Sequence, residues 1–359
     1  LKVSRRPFAR VRFGMPDKVI IAVDAMGGDD APGVVLEGCA AALAADPDLH
    51  VVLCGPADVV GPFSVAHERC TAQPAEEVIS MGEHPANAVR RKKDSSIVVG
   101  CRLVKEGAAQ GFFSAGSTGA CLAAATLVMG RVRGIARPAL ATVIPSPVRP
   151  VVMSDIGANA DCKPEYLVQF AQMGEVYMNA IMGVERPKVG LLNIGTEDSK
   201  GTALQKEAYA LLKDAGEKGL VNFVGNVEAR DVPLGAVDVV VCDGFNGNVL
   251  LKTIEGTAMF MGSLMKRMFK KNLLSKLGYL LCASGVKDLM KMLDYREIGG
   301  TPFLGIRKPV IKAHGASDVL AFRNAVKQAA DVAASDITGE LEENLQRLAA
   351  EKEKVTEHD

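Results

Sequence analysis

The residues best suited to chemistry lie in six short segments rich in Gly, Asn, Asp and Ser, each of which directly follows an apolar run. The segments are Asp24-Ala-Met-Gly-Gly-Asp29, Ser114-Ala-Gly-Ser-Thr-Gly119, Asp155-Ile-Gly-Ala-Asn-Ala-Asp161, Asn193-Ile-Gly-Thr-Glu-Asp-Ser-Lys-Gly201, Asp243-Gly-Phe-Asn-Gly-Asn248 and His314-Gly-Ala-Ser-Asp318. Glycine lets backbone N–H groups approach an anion closely, and a helix that follows directs its positive end at the same anion. One such turn is commonplace between a strand and a helix. Six of them together predict a phosphate site.

Side chains in these segments are candidates for binding phosphate or another part of a substrate. These candidate binding residues offer hydroxyl, carboxyl, amide or imidazole groups, or a glycine N–H. They are Asp24, Gly27, Gly28, Ser117, Thr118, Asp155, Asn159, Asn246 and His314. Lys200 is a cation inside one segment, which favours a role in anion binding or acid catalysis. Arg90-Arg91-Lys92-Lys93 form either a second cationic contact or a solvated face.

Composition and motifs exclude several classes of protein. Lys+Arg and Asp+Glu are both 42, Trp is absent and aromatic residues make up 5%, which argues against a nucleic-acid binder. The chain contains no P-loop, no H-E-x-x-H and no G-x-S-x-G pattern, and no segment fits a dinucleotide-binding glycine turn. The 8 cysteines form no C-x-x-C pair and no apolar stretch reaches membrane-spanning length. We therefore expect a cytoplasmic protein with no metal and no organic cofactor.

Apolar runs of strand length alternate with helical segments. The predicted strands are Val19–Val23, Leu49–Cys54, Gly111–Ala115, Ala139–Ile144, Val151–Ser154, Val189–Ile194, Val237–Cys242 and Val310–Ala313, and the predicted helices are Ser95–Gln110, Thr118–Met129, Pro164–Met182 and Ser317–Ala334. This alternation, with strands apolar on both faces, predicts an α/β fold with a parallel sheet covered on both sides. The carboxyl ends of parallel strands form one edge, so we expect the six segments to lie together there.

Composition divides the chain into three parts. Residues 1–14 are Arg-rich and are predicted to be a disordered extension before a natural start at Met15. Residues 15–335 are predicted to form one catalytic domain, and residues 336–359 a charged tail with a surface helix.

Residues 261–294 predict a basic, amphipathic helical hairpin that protrudes from the domain. Apolar residues follow helical spacing from Met261 to Leu281, and Ser284-Gly285 is predicted to break the chain between the helices. The polar face is basic and includes Lys266, Lys270 and Lys276. We expect part of the apolar stripe to form a dimer. The tip around Leu277–Cys282 is expected to contact either an acidic protein or an anionic membrane.

The glycine-rich segments also resemble a known family. The matching stretches are Ala22–Asp29, Pro85–Ser96, Ser114–Gly119, Asp155–Asn159, Pro164–Ala171, Leu191–Gly201, Gly225–Asp231, Asp243–Asn248 and Ile311–Ser317. At these positions, and in the same order from about Val19 to Ala334, the sequence resembles the bacterial acyl-[acyl-carrier-protein]:phosphate acyltransferases of phospholipid synthesis. The resemblance implies Lys200 and Asn248 as catalytic residues, with Asn246 as a weaker match to the family pattern.

The resemblance also implies a fold, an activity and partners. The fold would be a Rossmann-like α/β/α sandwich similar to isocitrate and isopropylmalate dehydrogenases and to phosphotransacetylase, in a cytosolic homodimer. The activity would convert an acyl-carrier-protein thioester and inorganic phosphate into acyl phosphate and free carrier protein. The acyl phosphate would feed a membrane glycerol-3-phosphate acyltransferase. The basic hairpin adds the expectation of a peripheral membrane association.

Phosphate is already a nucleophile at neutral pH, so no side chain needs to be acylated. In this hypothesis the loops at Gly27 and Ser117, together with Lys200, bind phosphate, and Asn248 or a nearby N–H stabilises the oxyanion. The competing route passes through an acylated Cys162. Carrier protein or membrane would contact a basic and apolar set: Arg90, Arg91, Lys92, Lys266, Lys270, Lys276, Leu277 and Leu281.

Three other functions stay open on the sequence alone. The first is a phosphate acetyltransferase-like enzyme that uses acyl-CoA. The second is a dehydrogenase of the same fold, in which Asp24, Asp155 and Asp243 would bind a metal. The third is a non-catalytic scaffold that docks on membranes through the basic hairpin.

Overall fold

The strand segments lie side by side in one large sheet. A computed structural model of the chain describes residues 18–292, 294–297, 299–335 and 337–343. The predicted extension at residues 1–14 and the tail beyond residue 343 lie outside the described residues. The strands are β1 (Val19–Asp24), β2 (Leu49–Gly55), β3 (Cys70–Pro74), β4 (Gly111–Ser114), β5 (Ala139–Ile144), β6 (Val151–Ser154), β7 (Val189–Asn193), β8 (Phe223–Glu228), β9 (Val239–Val241), β10 (Thr301–Leu304) and β11 (Val310–Lys312). Within the described residues they form an 11-stranded sheet in the order β3-β2-β1-β4-β11-β10-β5-β6-β9-β7-β8.

The sheet is mixed, so the prediction of a wholly parallel sheet is wrong. Strands β3, β2, β1, β4 and β11 are mutually parallel, and so are β6, β9, β7 and β8. Between them lie three antiparallel pairings, β11 with β10, β10 with β5, and β5 with β6. Three reversals make the second set run opposite to the first.

Short connections explain two of these reversals. Only residues 145–150 separate β5 from β6, and only residues 305–309 separate β10 from β11. A parallel pair needs a crossover of about a dozen residues or more, whereas a short loop joins strands as an antiparallel hairpin. The short loops therefore predict antiparallel pairing of these strands, which the composition of the strands alone does not.

Helices cover both faces of the sheet, as predicted. The α-helices are α1 (Gly33–Ala45), α2 (Ala57–Ala66), α3 (Pro85–Arg91), α4 (Ser96–Lys105), α5 (Thr118–Ala124), α6 (Pro164–Met182), α7 (Ala203–Glu217), α8 (Gly244–Lys270), α9 (Leu273–Met292) and α10 (Val319–Ala333). Alternate strand residues point to opposite faces. Ile21 and Val23 lie in the core with α1, α6, α7 and α10, whereas Ala22 lies in a second core with α3, α4 and α5.

The helices α8 and α9 form an antiparallel pair that differs from the predicted hairpin. They are joined at Lys271-Asn272, and the rings of Phe269 and Tyr279 are 5.3 Å apart. The predicted break at Ser284-Gly285 is wrong because α9 continues through both residues. A glycine inside a helix costs only about 1 kcal/mol, which contacts elsewhere can offset. Leu277 to Cys282 therefore lie within α9 and not at the turn.

The start of the predicted tail packs on the domain. Residues 337–343 are helical, and the side chains of Ile337 and Leu341 are buried. This segment therefore contributes to the core beside α10, whereas the sequence predicted a helix on the surface.

Helix α8 approaches strand β6 closely at a glycine. A Cβ on Gly247 would overlap the carbonyl oxygen of Asp155 and lie 2.8 Å from the sulfur of Cys242. Gly256, on the same helix, has no neighbouring atom within 4 Å of such a Cβ.

The substitution Gly247→Ala is therefore expected to destabilise the protein by about 1–3 kcal/mol, because α8 must move away from β6. The matched Gly256→Ala variant is expected to be neutral or up to about 1 kcal/mol more stable, since alanine favours the helix. Urea unfolding of both variants measures the difference. Equal stability of Gly247→Ala and wild type would contradict the close packing of α8.

Candidate active site

The loops after β1, β4 and β11 are in direct contact and form a first loop group. These three strands are neighbours in the sheet and run in one direction. The Asp29 N–H donates to the carbonyl of Gly315 at 2.8 Å. A Cβ on Gly27 would lie 2.7 Å from the amide nitrogen of Gly116, and Gly28 has a φ of 121°. The predicted residues Asp24, Gly27, Gly28, Ser117, Thr118 and His314 all belong to this group.

The carboxyl group of Asp24 is buried beneath the first loop group. It accepts hydrogen bonds from the Ser114 hydroxyl at 2.6 Å and from the Met26 N–H at 3.1 Å. The Ser114 oxygen in turn accepts from the Gly116 N–H at 2.9 Å. Burial raises the pKa of Asp24 above its ordinary value. Asp24 therefore holds two loops together, and its raised pKa reduces repulsion of a nearby anion.

Lys312 is a buried cation that the sequence prediction missed. It is the last residue of β11, and its ammonium group donates to the carbonyl of Ala313. Burial lowers the pKa of Lys312, while the charges of Asp24 and Asp29 oppose that shift. The available signal was a lysine at the end of an apolar strand, two residues before His314.

The loops after β6 and β9 form the core of a second loop group. The buried Asp155 carboxylate accepts from the N–H groups of Leu140 at 2.9 Å, Ala158 at 3.1 Å and Asn159 at 2.6 Å. The carbonyl of Asn159 accepts from the Gly244 N–H at 2.7 Å. Burial raises the pKa of Asp155. Asp155 and Asn159 therefore organise these loops from inside.

The first turn of α8 presents amide side chains at the surface of the second loop group. Asp243 caps the helix, accepting from the Asn246 N–H at 2.9 Å and from the Asn246 side-chain amide at 2.6 Å. The Asn248 side chain is exposed and donates to the carbonyl of Ile156 at 3.0 Å. An asparagine amide carries two hydrogens, and within the described residues the second hydrogen of Asn248 has no acceptor.

Lys200 belongs to the second loop group through its strand. β7 pairs in parallel with β9, so the loop from Asn193 to Gly201 lies at the same edge as the start of α8. The Asn193 side chain donates to the carbonyl of Lys200 at 3.1 Å and fixes the loop. The Lys200 ammonium lies 4.0 Å from a Glu197 carboxylate oxygen, and its side chain is 48% exposed. Within the described residues, no hydrogen bond or ion pair joins Lys200 to the first loop group.

The six segments therefore form two groups, and the prediction of a single edge needs correction. In a flat sheet the two groups would lie at opposite edges, because their strands run in opposite directions. With the usual twist of about 20–25° per step, the five steps from β4 to β9 would turn the strand direction by roughly 110° and bring the two sets of carboxyl ends closer. The charges of Lys252 and Glu255 on α8 act on His314, so α8 runs from the second loop group towards the first.

Cys162 is a poor nucleophile in this setting. Its half-buried thiol donates to the carbonyl of Asn159 at 3.4 Å. Burial, followed by the charge of Asp155, raises the pKa of Cys162 to about 12. The thiolate that an acylation route requires is therefore scarce at neutral pH.

The three aspartates of the dehydrogenase alternative do not form a common set. Asp24 lies in the first loop group, and Asp155 and Asp243 lie in the second, with the carboxylates engaged by hydrogen-bond donors. No cluster of three or more His, Cys, Asp or Glu side chains suited to a metal occurs in the described part of the chain.

The basic contact residues divide between two surfaces. Arg90 and Arg91 are exposed at the end of α3, whose Pro85 packs against Gly119 of the first loop group. Lys92 is half-buried and its ammonium lies 2.7 Å from a Glu83 carboxylate oxygen. The other members of the set are exposed on α8 and α9: Lys266, Lys270, Lys276, Leu277 and Leu281. None of the described helices has both the length and the apolar character needed to cross a bilayer.

Solved structures with the same fold include acyl-transferring enzymes. A phosphotransacetylase from Streptococcus pyogenes has a TM-score of 0.56 at 18% identity and covers 89% of this chain and 94% of that one. A branched-chain phosphotransacylase from Enterococcus faecalis has a TM-score of 0.55 at 12% identity and covers 88% and 99%. At such low identity the likeness shows the fold alone.

Sequence relatives are far more similar. A family model described as a fatty acid synthesis protein matches residues 19–339. A phosphate acyltransferase from Clostridium perfringens is 48% identical over 338 residues, which cover 93% of this chain and 99% of that protein. A phosphate acyltransferase from Clostridium acetobutylicum is 46% identical over 334 residues, which cover 92% and 100%. Near-complete coverage at this identity shows that the chain belongs to the phosphate acyltransferase family and is an acyltransferase.

Proposed function

We propose that this enzyme transfers a fatty acyl group from an acyl-carrier-protein thioester to inorganic phosphate and yields acyl phosphate for phospholipid synthesis. The observation that carries the proposal is the 46% and 48% identity with phosphate acyltransferases over nearly the whole chain. The two loop groups support it, because they offer glycine N–H groups, a lysine and an exposed amide where the strands end.

In the proposed reaction a phosphate oxygen attacks the thioester carbon. The new C–O bond forms as the C–S bond breaks, and the carrier sulfur leaves as a thiolate that is protonated to the thiol. Phosphate supplies the nucleophile, so the chain only needs to orient it and to stabilise the oxyanion. The high pKa of Cys162 supports direct attack over an acylated cysteine.

Each loop group has its own part in this mechanism. N–H groups around Gly27 and Gly28 and the hydroxyl groups of Ser117 and Thr118 bind phosphate on one side. Lys200 adds positive charge from the other side, and the free amide hydrogen of Asn248 donates to the oxyanion. Asp24, Asp155 and Asn159 act indirectly, because their polar groups hold the loops.

The proposed partners are inferred from the exposed basic and apolar side chains of the protein. The exposed basic residues of α3 and of the α8–α9 pair complement an acidic carrier protein, with affinity that falls as salt rises. Exposed apolar side chains on the α8–α9 pair, among them Leu273, Leu274 and Leu281, support a homodimer or a peripheral membrane contact. We further propose an isocitrate-dehydrogenase-like class for the fold and a cytoplasmic location. A membrane glycerol-3-phosphate acyltransferase is the proposed consumer of the product.

The direct test is phosphate-dependent release of thiol from palmitoyl-carrier protein by the purified enzyme. The proposal expects turnover that requires both phosphate and the carrier-linked acyl group, with little turnover of acetyl-CoA as the control substrate. Faster turnover of acetyl-CoA than of palmitoyl-carrier protein would favour the acetyltransferase alternative instead.

Lys200→Ala is expected to reduce kcat about a hundredfold or more, since the positive charge beside the phosphate is lost. Lys213→Ala, which removes an exposed lysine of α7, is the matched control and should retain wild-type turnover. Cys162→Ala should also retain it, because its thiol takes no part in direct attack. Steady-state kinetics on palmitoyl-carrier protein measure all three variants. Near-normal kcat in Lys200→Ala would remove that residue from the mechanism.

The membrane contact is tested by flotation with anionic vesicles. The double variant Leu277→Glu, Leu281→Glu is expected to float less than wild type, because two exposed apolar side chains become charged. Val65→Glu is the control, since Val65 is also exposed but lies on α2, away from the helix pair. Flotation equal to wild type in the double variant would leave the carrier protein as the partner of this surface.

A further inference from the structure

His314 lies where the two loop groups approach each other. It follows β11 in the first loop group, and its neighbour Gly315 accepts a hydrogen bond from the Asp29 N–H at 2.8 Å. Lys252 and Glu255, whose charges act on His314, lie one and two turns beyond Asn248 on α8. The imidazole therefore belongs to the first loop group and lies within electrostatic reach of α8, the helix that begins in the second loop group.

The hydrogen bonding of His314 fixes its tautomer. The Ala316 N–H donates to Nδ1 of His314 at 3.2 Å, so Nδ1 is an acceptor and carries no proton. In the neutral ring the proton then sits on Nε2. The side chain is exposed, which leaves the Nε2–H group open to a substrate.

The charges around His314 favour the neutral ring. Partial desolvation and then the cations Lys252 and Lys312 lower the pKa of His314, while Glu255 and Asp29 oppose the shift. Because the pKa lies below its ordinary value of about 6.5, the ring is neutral at and above neutral pH. Lys252 forms a 2.7 Å ion pair with Glu255, so these two charges partly cancel at the ring.

We propose that His314 is a catalytic residue that donates its Nε2–H to the thioester carbonyl oxygen as a neutral hydrogen-bond donor, on the opposite side from Asn248. This inference rests on the proposed acyl transfer to phosphate and assigns the second donor of its oxyanion site. A neutral imidazole cannot give up its only N–H proton to the leaving sulfur, so His314 polarises the carbonyl and does not act as the general acid. Two neutral donors aimed at one oxygen stabilise the charge that develops there.

Two substitutions test the donor role. His314→Ala is expected to lower kcat on palmitoyl-carrier protein about a hundredfold, with KM for phosphate nearly unchanged, because the lost contact exists mainly in the transition state. His314→Gln places an amide N–H close to the position of Nε2 and is expected to recover about a tenth or more of wild-type kcat. A merely structural histidine would not show this rescue, and thermal unfolding of both variants serves as the folding control.

The pH dependence separates a neutral donor from a cationic acid. The ratio of wild-type to His314→Gln kcat cancels the ionisation of phosphate, which is common to both enzymes. We expect this ratio to stay flat between about pH 6.5 and 8.5, whereas an essential imidazolium would make it fall about tenfold per pH unit above the pKa. ¹⁵N NMR of histidine-labelled wild-type enzyme should find His314 neutral and protonated at Nε2 at pH 7.

Several results would overturn the proposal. They are wild-type kcat in His314→Ala, no rescue in His314→Gln, a ratio that falls with rising pH, or an NMR spectrum with His314 charged or protonated at Nδ1 at pH 7. If wild type itself releases no thiol in the presence of phosphate, the proposed function fails as a whole. If wild type is active and the histidine variants equal it, only the role of His314 fails.

Discussion

The reversal of strand direction in the middle of the sheet is the constraint on which the candidate site depends. Two hairpins, β5–β6 and β10–β11, together with the β10–β5 pairing, divide the strands into two sets that run in opposite directions. Each set ends in its own loop group, and α8 begins in the second group and extends to His314 of the first. In the proposed mechanism, phosphate and thioester are held from two sides by elements that belong to different halves of the fold.

Two buried carboxyl groups, Asp24 and Asp155, have the same structural role, since each fixes the conformation of one loop group. Asp24 ends β1 and binds Ser114, and Asp155 follows β6 and binds four backbone N–H groups. Buried hydrogen-bonded carboxyl groups specify loop conformation, because an unmatched partner would cost about 1–3 kcal/mol. In the proposed mechanism the groups that contact substrate are backbone N–H groups and the side chains of Ser117, Thr118, Lys200, Asn248 and His314, each of which can donate a hydrogen bond. Such a lining suits an anion and an oxyanion, and it contains no activated nucleophile, which agrees with attack by phosphate itself.

Much of this fold was predictable from local pattern. The strands Ala139–Ile144 and Val151–Ser154 and the helix Pro164–Met182 have the bounds that apolar periodicity and Pro164 predict. Strands β3, β8 and β10 were missed, since their polar, glycine-containing or proline-containing sequences lack a continuous apolar run. The sequence predicted which residues belong to the site but not their division into two loop groups. That division follows from strand direction, which depends on long-range pairing. Lys312 was missed for a related reason, as its burial depends on the pairing of β11 between β4 and β10.

A crystal structure of the enzyme with bound inorganic phosphate tests the central claim most directly. We expect one phosphate within hydrogen-bonding distance, about 3 Å, of donors from both loop groups. These donors would be the Gly27–Gly28 backbone or Ser117 on one side, and Asn248 or Lys200 on the other. A phosphate that contacts one loop group alone, with the other facing away from it, would contradict the account.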